Sequence, residues 1–486
     1  MIWTVCRTWF FGPAFRRTLH VLLGLAVAGA LNTAAADTLE LFVDSVTKQI
    51  FTEPGPNRIS LGRFAKVQEA PAAVGREGLE QKPSSPAAPA GDATIAALPS
   101  PAAGAPVPDA KPKAAAKPKW YDALSVRGYT QFRYAELLDD ELKDYRHHAD
   151  RGWADDQSFL IRRARLILSG DLGEHLFLYL QPDFAVTPPG SSQTHFVQLR
   201  DAYADISFDK AKEFRVRAGQ SKIPYGFENM QSSSNRLALD RADALNSCCK
   251  DERDIGVFLY WAPAHIRALF KEINDRGLKG SGDYGVAGFG LYNGQGANRN
   301  DANDHLHLVA RLTWPWKFMN GQIFEAGVQA QTGRFVPSVD SGIALAGSDE
   351  GLQDARFGIS AILYPQPFGL QAEWNWGRGP SLNRAMNMVE VSSLNGGYVQ
   401  AMYRWHSPLG YVMPFVRWQQ FDGAMKFERN APFTSVDETE LGVEWQVVPE
   451  VELTAMYVKT DRTNVLVAPY EQVDGDLMRF QLQWNY

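Results

Sequence analysis

At 486 residues the chain is too long for one ordinary soluble core. Its apolar fraction of 45% holds no run of about 18 apolar residues beyond the first 36, which excludes a bundle of membrane helices but not a membrane-spanning sheet. The formal net charge is −6, and cysteine is limited to Cys6 and the neighbours Cys248 and Cys249, so no disulfide framework, zinc-ligand spacing, metal, cofactor or nucleic-acid partner is expected.

Residues 1–36 read as a secretory signal: Arg7, Arg16 and Arg17 precede the apolar stretch Leu19–Ala30, and Ala34-Ala35-Ala36 precedes Asp37. Residues 37–119 form a separate periplasmic segment. Leu39–Asp44 through Glu53-Pro54-Gly55-Pro56 fits a short extended or hairpin-like element. From Pro71 onward Ala, Pro, Ser and Gly dominate, and such a composition cannot bury enough apolar area to fold, so a disordered linker is expected. Its basic end, Lys111 to Lys119, reads as a solvated tether, with contact to cell-wall polymer as the alternative.

From Trp120 to the end the pattern is strands. Sixteen are expected, at 125–134, 158–169, 176–184, 198–208, 214–222, 254–261, 283–292, 305–314, 322–331, 356–364, 370–377, 397–406, 411–421, 438–448, 451–460 and 477–486. The connections alternate in length. Long ones (135–157, 185–197, 223–253, 293–304, 332–355, 378–396, 422–437, 461–476) face short ones such as Gly170–His175 and Pro449-Glu450. Short turns on one side and long loops on the other are what a transmembrane barrel needs. The connection 262–282 breaks the rule on the short side, and Ala264–Glu272 within it fits a small helix.

Face assignments agree. Phe480, Leu482, Trp484 and Tyr486 of the last strand oppose Arg479, Gln481, Gln483 and Asn485. A soluble sandwich strand would alternate too. However, a polar, charged face recurs on nearly every strand, which suits a water-filled lumen. The fold class is therefore all-β: a transmembrane antiparallel β-barrel of 16 strands over residues 120–486, with the last strand pairing the first to remove sheet edges. Cys248 and Cys249 read most simply as two loop residues, with a disulfide between neighbours as the less favoured alternative.

At Phe159-Leu-Ile-Arg-Arg-Ala-Arg-Leu166, Arg215-Val-Arg-Ala-Gly-Gln-Ser-Lys-Ile-Pro-Tyr-Gly226, Glu252-Arg-Asp-Ile-Gly-Val257 and Phe289-Gly-Leu-Tyr-Asn-Gly-Gln-Gly296 the chain resembles the phosphate-selective porin O/P family. The resemblance implies a sixteen-stranded, usually homotrimeric porin in the outer membrane of a Gram-negative bacterium. Its expected partners are outer-membrane lipid and lipopolysaccharide, the barrel assembly machinery through the C-terminal strand, and small anions such as phosphate or polyphosphate. It also implies that the third long loop, 223–253, folds into the lumen.

A pore needs charges where an ion sheds part of its hydration, not catalytic groups. The anion-binding or pore-lining set is Arg127, Arg133, Arg163, Arg165, Arg215, Arg217, Lys222, Arg253 and Arg311, with Arg404, Arg417 and Arg479 also on lumen faces. Arginine forks match phosphate oxygens bidentately. The competing reading is that lumen arginines pair with lumen carboxylates and stiffen the wall; Asp183, Asp201, Asp205, Glu325, Glu373, Glu440 and Glu444 are placed on the same face. Residues 120–486 hold 36 Lys and Arg against 46 Asp and Glu, which favours caution over strict phosphate selectivity. A general or cation-preferring porin, or a structural or adhesive barrel, is the alternative. No GxSxG, HExxH or P-loop signals an enzyme.

Overall fold

A computed structural model describes residues 38–44, 50–51, 58–65, 120–139, 157–187, 193–347, 350–466 and 468–486. The expected signal, the Ala/Pro-rich linker and most of the acidic loop 135–157 lie outside these residues. Contacts divide the chain into two units, Met1–Asp109 and Ala110–Tyr486. In the first, Thr38–Asp44 pairs antiparallel with Ile50–Phe51 and with Arg58–Ala65, so the expected hairpin-like element is a three-stranded sheet.

The second unit is a closed antiparallel barrel of sixteen strands. In chain order they are β1 (Ser125–Leu137), β2 (Ser158–Asp171), β3 (Leu176–Val186), β4 (Phe196–Ser207), β5 (Phe214–Lys222) and β6 (Arg253–Trp261). Next come β7 (Ala287–Tyr292), β8 (His307–Lys317), β9 (Ile323–Phe335), β10 (Leu352–Leu363) and β11 (Phe368–Asn383). The circuit ends with β12 (Met388–Tyr403), β13 (Gly410–Ala424), β14 (Phe433–Val448), β15 (Val451–Thr463) and β16 (Gln472–Asn485). Closure is between β16 and β1, in a register from Leu477 opposite Leu137 to Asn485 opposite Tyr129. The backbone of Tyr486 exchanges two further hydrogen bonds with Gly128. Every wall strand thus has two neighbours, which a bilayer demands because unpaired backbone groups find no water there.

The expected alternation holds. On β16, Arg479 and Gln483 are buried inside while Trp484 is exposed. Outside, aromatic pairs stand toward both ends, with Phe214 stacked on Trp261 and Trp316 on Phe324 at the short-turn side, and Phe357 stacked on Trp376 toward the long-loop side. This is the arrangement of an interfacial girdle.

Three expectations change. The expected loop 378–396 is mostly a ribbon: β11 and β12 stay paired out to Asn383 opposite Met388, leaving only residues 384–387 as a turn. Its Gly, Pro and Asn content reads as loop, but a two-stranded ribbon satisfies its own backbone and tolerates them. Residues 283–286 are not strand. Asp283 is instead held by Arg215 and Arg267, which keeps that segment in the connection before β7. Finally, Cys248 and Cys249 are joined in a disulfide and are buried rather than being two plain loop residues.

The expected small helix is present and longer than expected, as α3 (Ala264–Asp275). Its buried stripe of Ile266, Leu269, Phe270 and Ile273 follows helical spacing. The stripe packs in one cluster with Ile323, Ile362 and Tyr364 of the wall region and with Phe227 of the third long loop. The lumen is therefore not polar throughout.

Candidate pore constriction

The loop between β5 and β6 enters the lumen for local reasons. Pro224 ends the ladder of β5, since it has no N–H to donate. Gly226 then takes φ 80, and a Cβ there would come within 2.6 Å of Leu245. Two single-turn helices follow, α1 (Phe227–Met230) and α2 (Asp243–Asn246), both buried. Between them Leu237, Ala238 and Leu239 pack against Met402, Met413, Phe415, Met456 and Leu477. Apolar burial and hydrogen bonding together carry the loop across to the wall facing its own root.

Charge is sorted across that loop. On the β2–β6 side, Arg165 donates to Asp183 at 2.8 Å, and Arg253 donates to Asp201 at 2.8 Å. Arg200 pairs with Asp251 at 3.1 Å. Glu252 gathers Lys222 at 3.3 Å, Arg236 at 3.2 Å, Arg241 at 3.5 Å and Arg253 at 2.5 Å. Arg163 donates to Gln131, whose amide donates to the Ser233 carbonyl, and Arg165 reaches the Ser233 hydroxyl. Among the described residues the network thus holds seven cations, Arg163, Arg165, Arg200, Lys222, Arg236, Arg241 and Arg253, to four carboxylates. Arg236 is 6% exposed, and none of its guanidinium nitrogens makes a hydrogen bond among the described residues.

The far wall is the reverse. Arg417 pairs with Glu228 at 2.9 Å and Glu440 at 3.1 Å, and Arg462 pairs with Glu438 at 2.6 Å and Asp243 at 3.1 Å. Glu373 accepts the backbone N–H of Glu228 at 2.9 Å. Among the described residues, five carboxylates surround two arginines here. Between the two networks, Asp240 pairs with both Arg133 and Arg479.

Of the nine residues singled out from the sequence, seven have carboxylate partners among the described residues. Besides Arg133, Arg165, Lys222 and Arg253, Arg215 meets Asp283 at 2.7 Å, Arg217 forks onto Asp205 at 2.7 and 2.8 Å, and Arg311 meets Glu325 at 3.1 Å. Lys222 also donates to the carbonyls of Asn229, Met230 and Gln231. Arg163 is buried on Gln131. Arg127 alone of the nine is exposed, donating to Ser169 with its guanidinium 5.9 Å from the Tyr179 ring centroid. Five of the nine, Arg163, Arg165, Lys222, Arg253 and Arg133, converge on the inward loop; Arg215 and Arg217 stand beside it, and Arg127 and Arg311 lie apart. Arg236, Arg241 and Arg200 complete the basic network. The first two were visible as loop cations, whereas Arg200 has the opposite parity to Asp201 and Asp205 and turns inward only at a bulge in the β3–β4 pairing, which strict alternation does not report.

The connection 262–286 closes on the same loop from the short-turn side. Gln231 donates to the Lys279 carbonyl and Asn235 to the Gly280 carbonyl, while Lys279 pairs with Glu444 on β14. At its far end Asp283 is mostly buried. Burial alone would raise its pKa, but Arg215 and Arg267 outweigh it and hold the carboxyl below the ordinary range.

Residues 141–486 match the model of the family described as phosphate-selective porin O and P. No curated protein matches the chain. Among solved structures, the outer membrane channel DcaP of Acinetobacter baumannii is 12% identical, with 75% of this chain and 97% of that one covered at a TM-score of 0.48. The Salmonella typhi OmpF complex with daunomycin is 11% identical, with 75% and 97% covered and a TM-score of 0.47. An anion-selective porin from Comamonas acidovorans is 12% identical, with 75% and 99% covered and a TM-score of 0.44.

Proposed function

The chain belongs to the phosphate-selective porin O and P family, and on that premise we propose that its barrel is an outer-membrane diffusion channel preferring small anions, phosphate or polyphosphate among them, rather than an enzyme. The observation that carries this reading is the excess of buried cations at the root of the inward loop. Being buried, these groups act through their field and not by touching solute. In a low-dielectric wall that field is weakly screened, whereas charges on outer loops lie beyond a Debye length of roughly 8 Å. Arg127, the exposed member, is the one placed to meet solute directly. We take the working channel to be a homotrimer surrounded by lipid, inserted through recognition of its C-terminal strand by the barrel assembly machinery.

The test is the reversal potential across a KCl gradient. Arg236→Gln is the informative variant, because Glu252 keeps three other cations and no carboxylate is orphaned. A unit charge ~10 Å from the ion path at an effective dielectric of ~40–80 shifts an anion by ~0.4–0.8 kcal/mol and a cation by as much in the opposite sense, which changes the anion-to-cation permeability ratio by about fourfold to sixteenfold. Anion preference that falls by this amount supports the reading. Cation preference in the unaltered protein overturns it in favour of a general or cation-preferring porin, which the acidic network on the far wall would supply. Absence of conductance favours a structural barrel.

A further inference from the structure

On the outer face, β10 and β11 part company. Their pairing stops at Ala355 opposite Arg378, while β10 runs on beside β9 to Leu352 and β11 runs on beside β12 to Asn383. The two ribbons diverge and leave a notch in the wall at the long-loop end. A cleft of about 830 Å³ fills it. Its outward lining combines two chemistries. Phe357 and Trp376 are 47% and 42% exposed, and their rings stack with centroids 6.3 Å apart. Just beyond them, toward the outer end, stand Gln353, Arg378 and Ser393, with Val391, opposite Pro380, farther out still. Arg378 is exposed and its side chain has no ion pair, hydrogen bond or ring partner among the described residues. That isolates it from the arginines of the lumen, nearly all of which are engaged.

The floor of the cleft is closed from inside. Arg356 is committed to Asp354 and to Ser247 of the inward loop, and Gln331 is fixed between Tyr292 and Asp354. The notch therefore opens to the membrane and not to the pore. Its height is set by the aromatic girdle, where acyl chains give way to headgroups. A lone guanidinium directly above an apolar, ring-lined groove matches one occupant: a molecule with acyl chains below and a phosphate above. Arginine forks fit phosphate oxygens, and the rings suit an amphiphile at the interface.

We propose that this notch binds a phosphorylated glycolipid of the outer leaflet, its phosphate on Arg378 and an acyl chain along Phe357 and Trp376. The site is independent of the channel's ion preference. The experiment is to titrate the full detergent-solubilised barrel with lipid A bearing both phosphates and with its dephosphorylated form, for the unaltered protein, Arg378→Gln and Trp376→Ala. Binding is read by native mass spectrometry. Loss of the phosphates, or of the Arg378 guanidinium, should weaken binding about tenfold, as one charge-assisted fork is worth. Arg378→Lys should recover only part. Equal binding of phosphorylated and dephosphorylated lipid, or an unchanged affinity in Arg378→Gln, overturns the proposal. So does a loss of oligomer in Arg378→Gln without loss of lipid, which would make this face a contact between protomers. Arg378 is on the surface, so its replacement leaves the barrel folded, and migration on unheated gels checks that.

Discussion

Arg217 shows what a single lumen arginine does here. It forks onto Asp205, and its guanidinium lies 3.8 Å from the Tyr203 ring centroid. Arg217→Ala leaves Asp205 buried, with Arg215 3.9 Å away as a poor substitute partner. The expected loss is about 3–5 kcal/mol, the cost of stranding one member of a buried pair. It should appear as a lower midpoint for the heat-induced gel shift, and Asp205→Ala in the same chain should recover much of it. This pair was within reach of the sequence. Alternation places both residues inward, and the short turn between β4 and β5 fixes Asp205 directly opposite Arg217. Arg133 and Asp240 are different. They are joined through the folded-in loop across more than a hundred residues, and no local period reports such a contact.

At the scale of elements, strands were legible because a wall between lipid and lumen forces period two on each of them. Inward connections were not, since their burial depends on the far wall. The connection holding α3 is the clearest case: helical spacing revealed the helix, but nothing local told that it packs inside. Replacing 264–280 with a short turn removes both its body and its ties to the inward loop. Single-channel conductance is expected to rise; an unchanged conductance would leave α3 without a role in narrowing the pore. A titration checks the same clamp. The carboxyl of Asp283 titrates below its unfolded value of about 3.9, so its contribution is present above that pH and is lost as pH falls through the lower folded value. Conductance should hold steady down to about pH 4 and rise only below it. Asp283→Asn should show the raised level already at neutral pH.

For the whole molecule, closure is the requirement that all sixteen strands share. Without β16, one edge of β1 and one edge of β15 would face hydrocarbon, at several kcal/mol for each unsatisfied backbone group. A chain ending before Gln472 is therefore expected to fail to insert, and to run on unheated gels as an unfolded band. Normal insertion of that truncated chain would refute the closure argument.

The position of Asp240 bears on the order of events. Its carboxylate grips Arg133 on β1 and Arg479 on β16, the two strands that meet last along the chain's circuit. A loop from the first third of the barrel thus staples the final joint from within. A loop already inside when the ends zip together would present this carboxylate to both strands as they meet. It would then serve as a template on which the last strand finds its register. Asp240→Asn should lower the stability of the finished barrel by about 3–5 kcal/mol, since two buried arginines lose their carboxylate, and should also slow its completion, a delay visible as a longer-lived unclosed species during refolding into detergent.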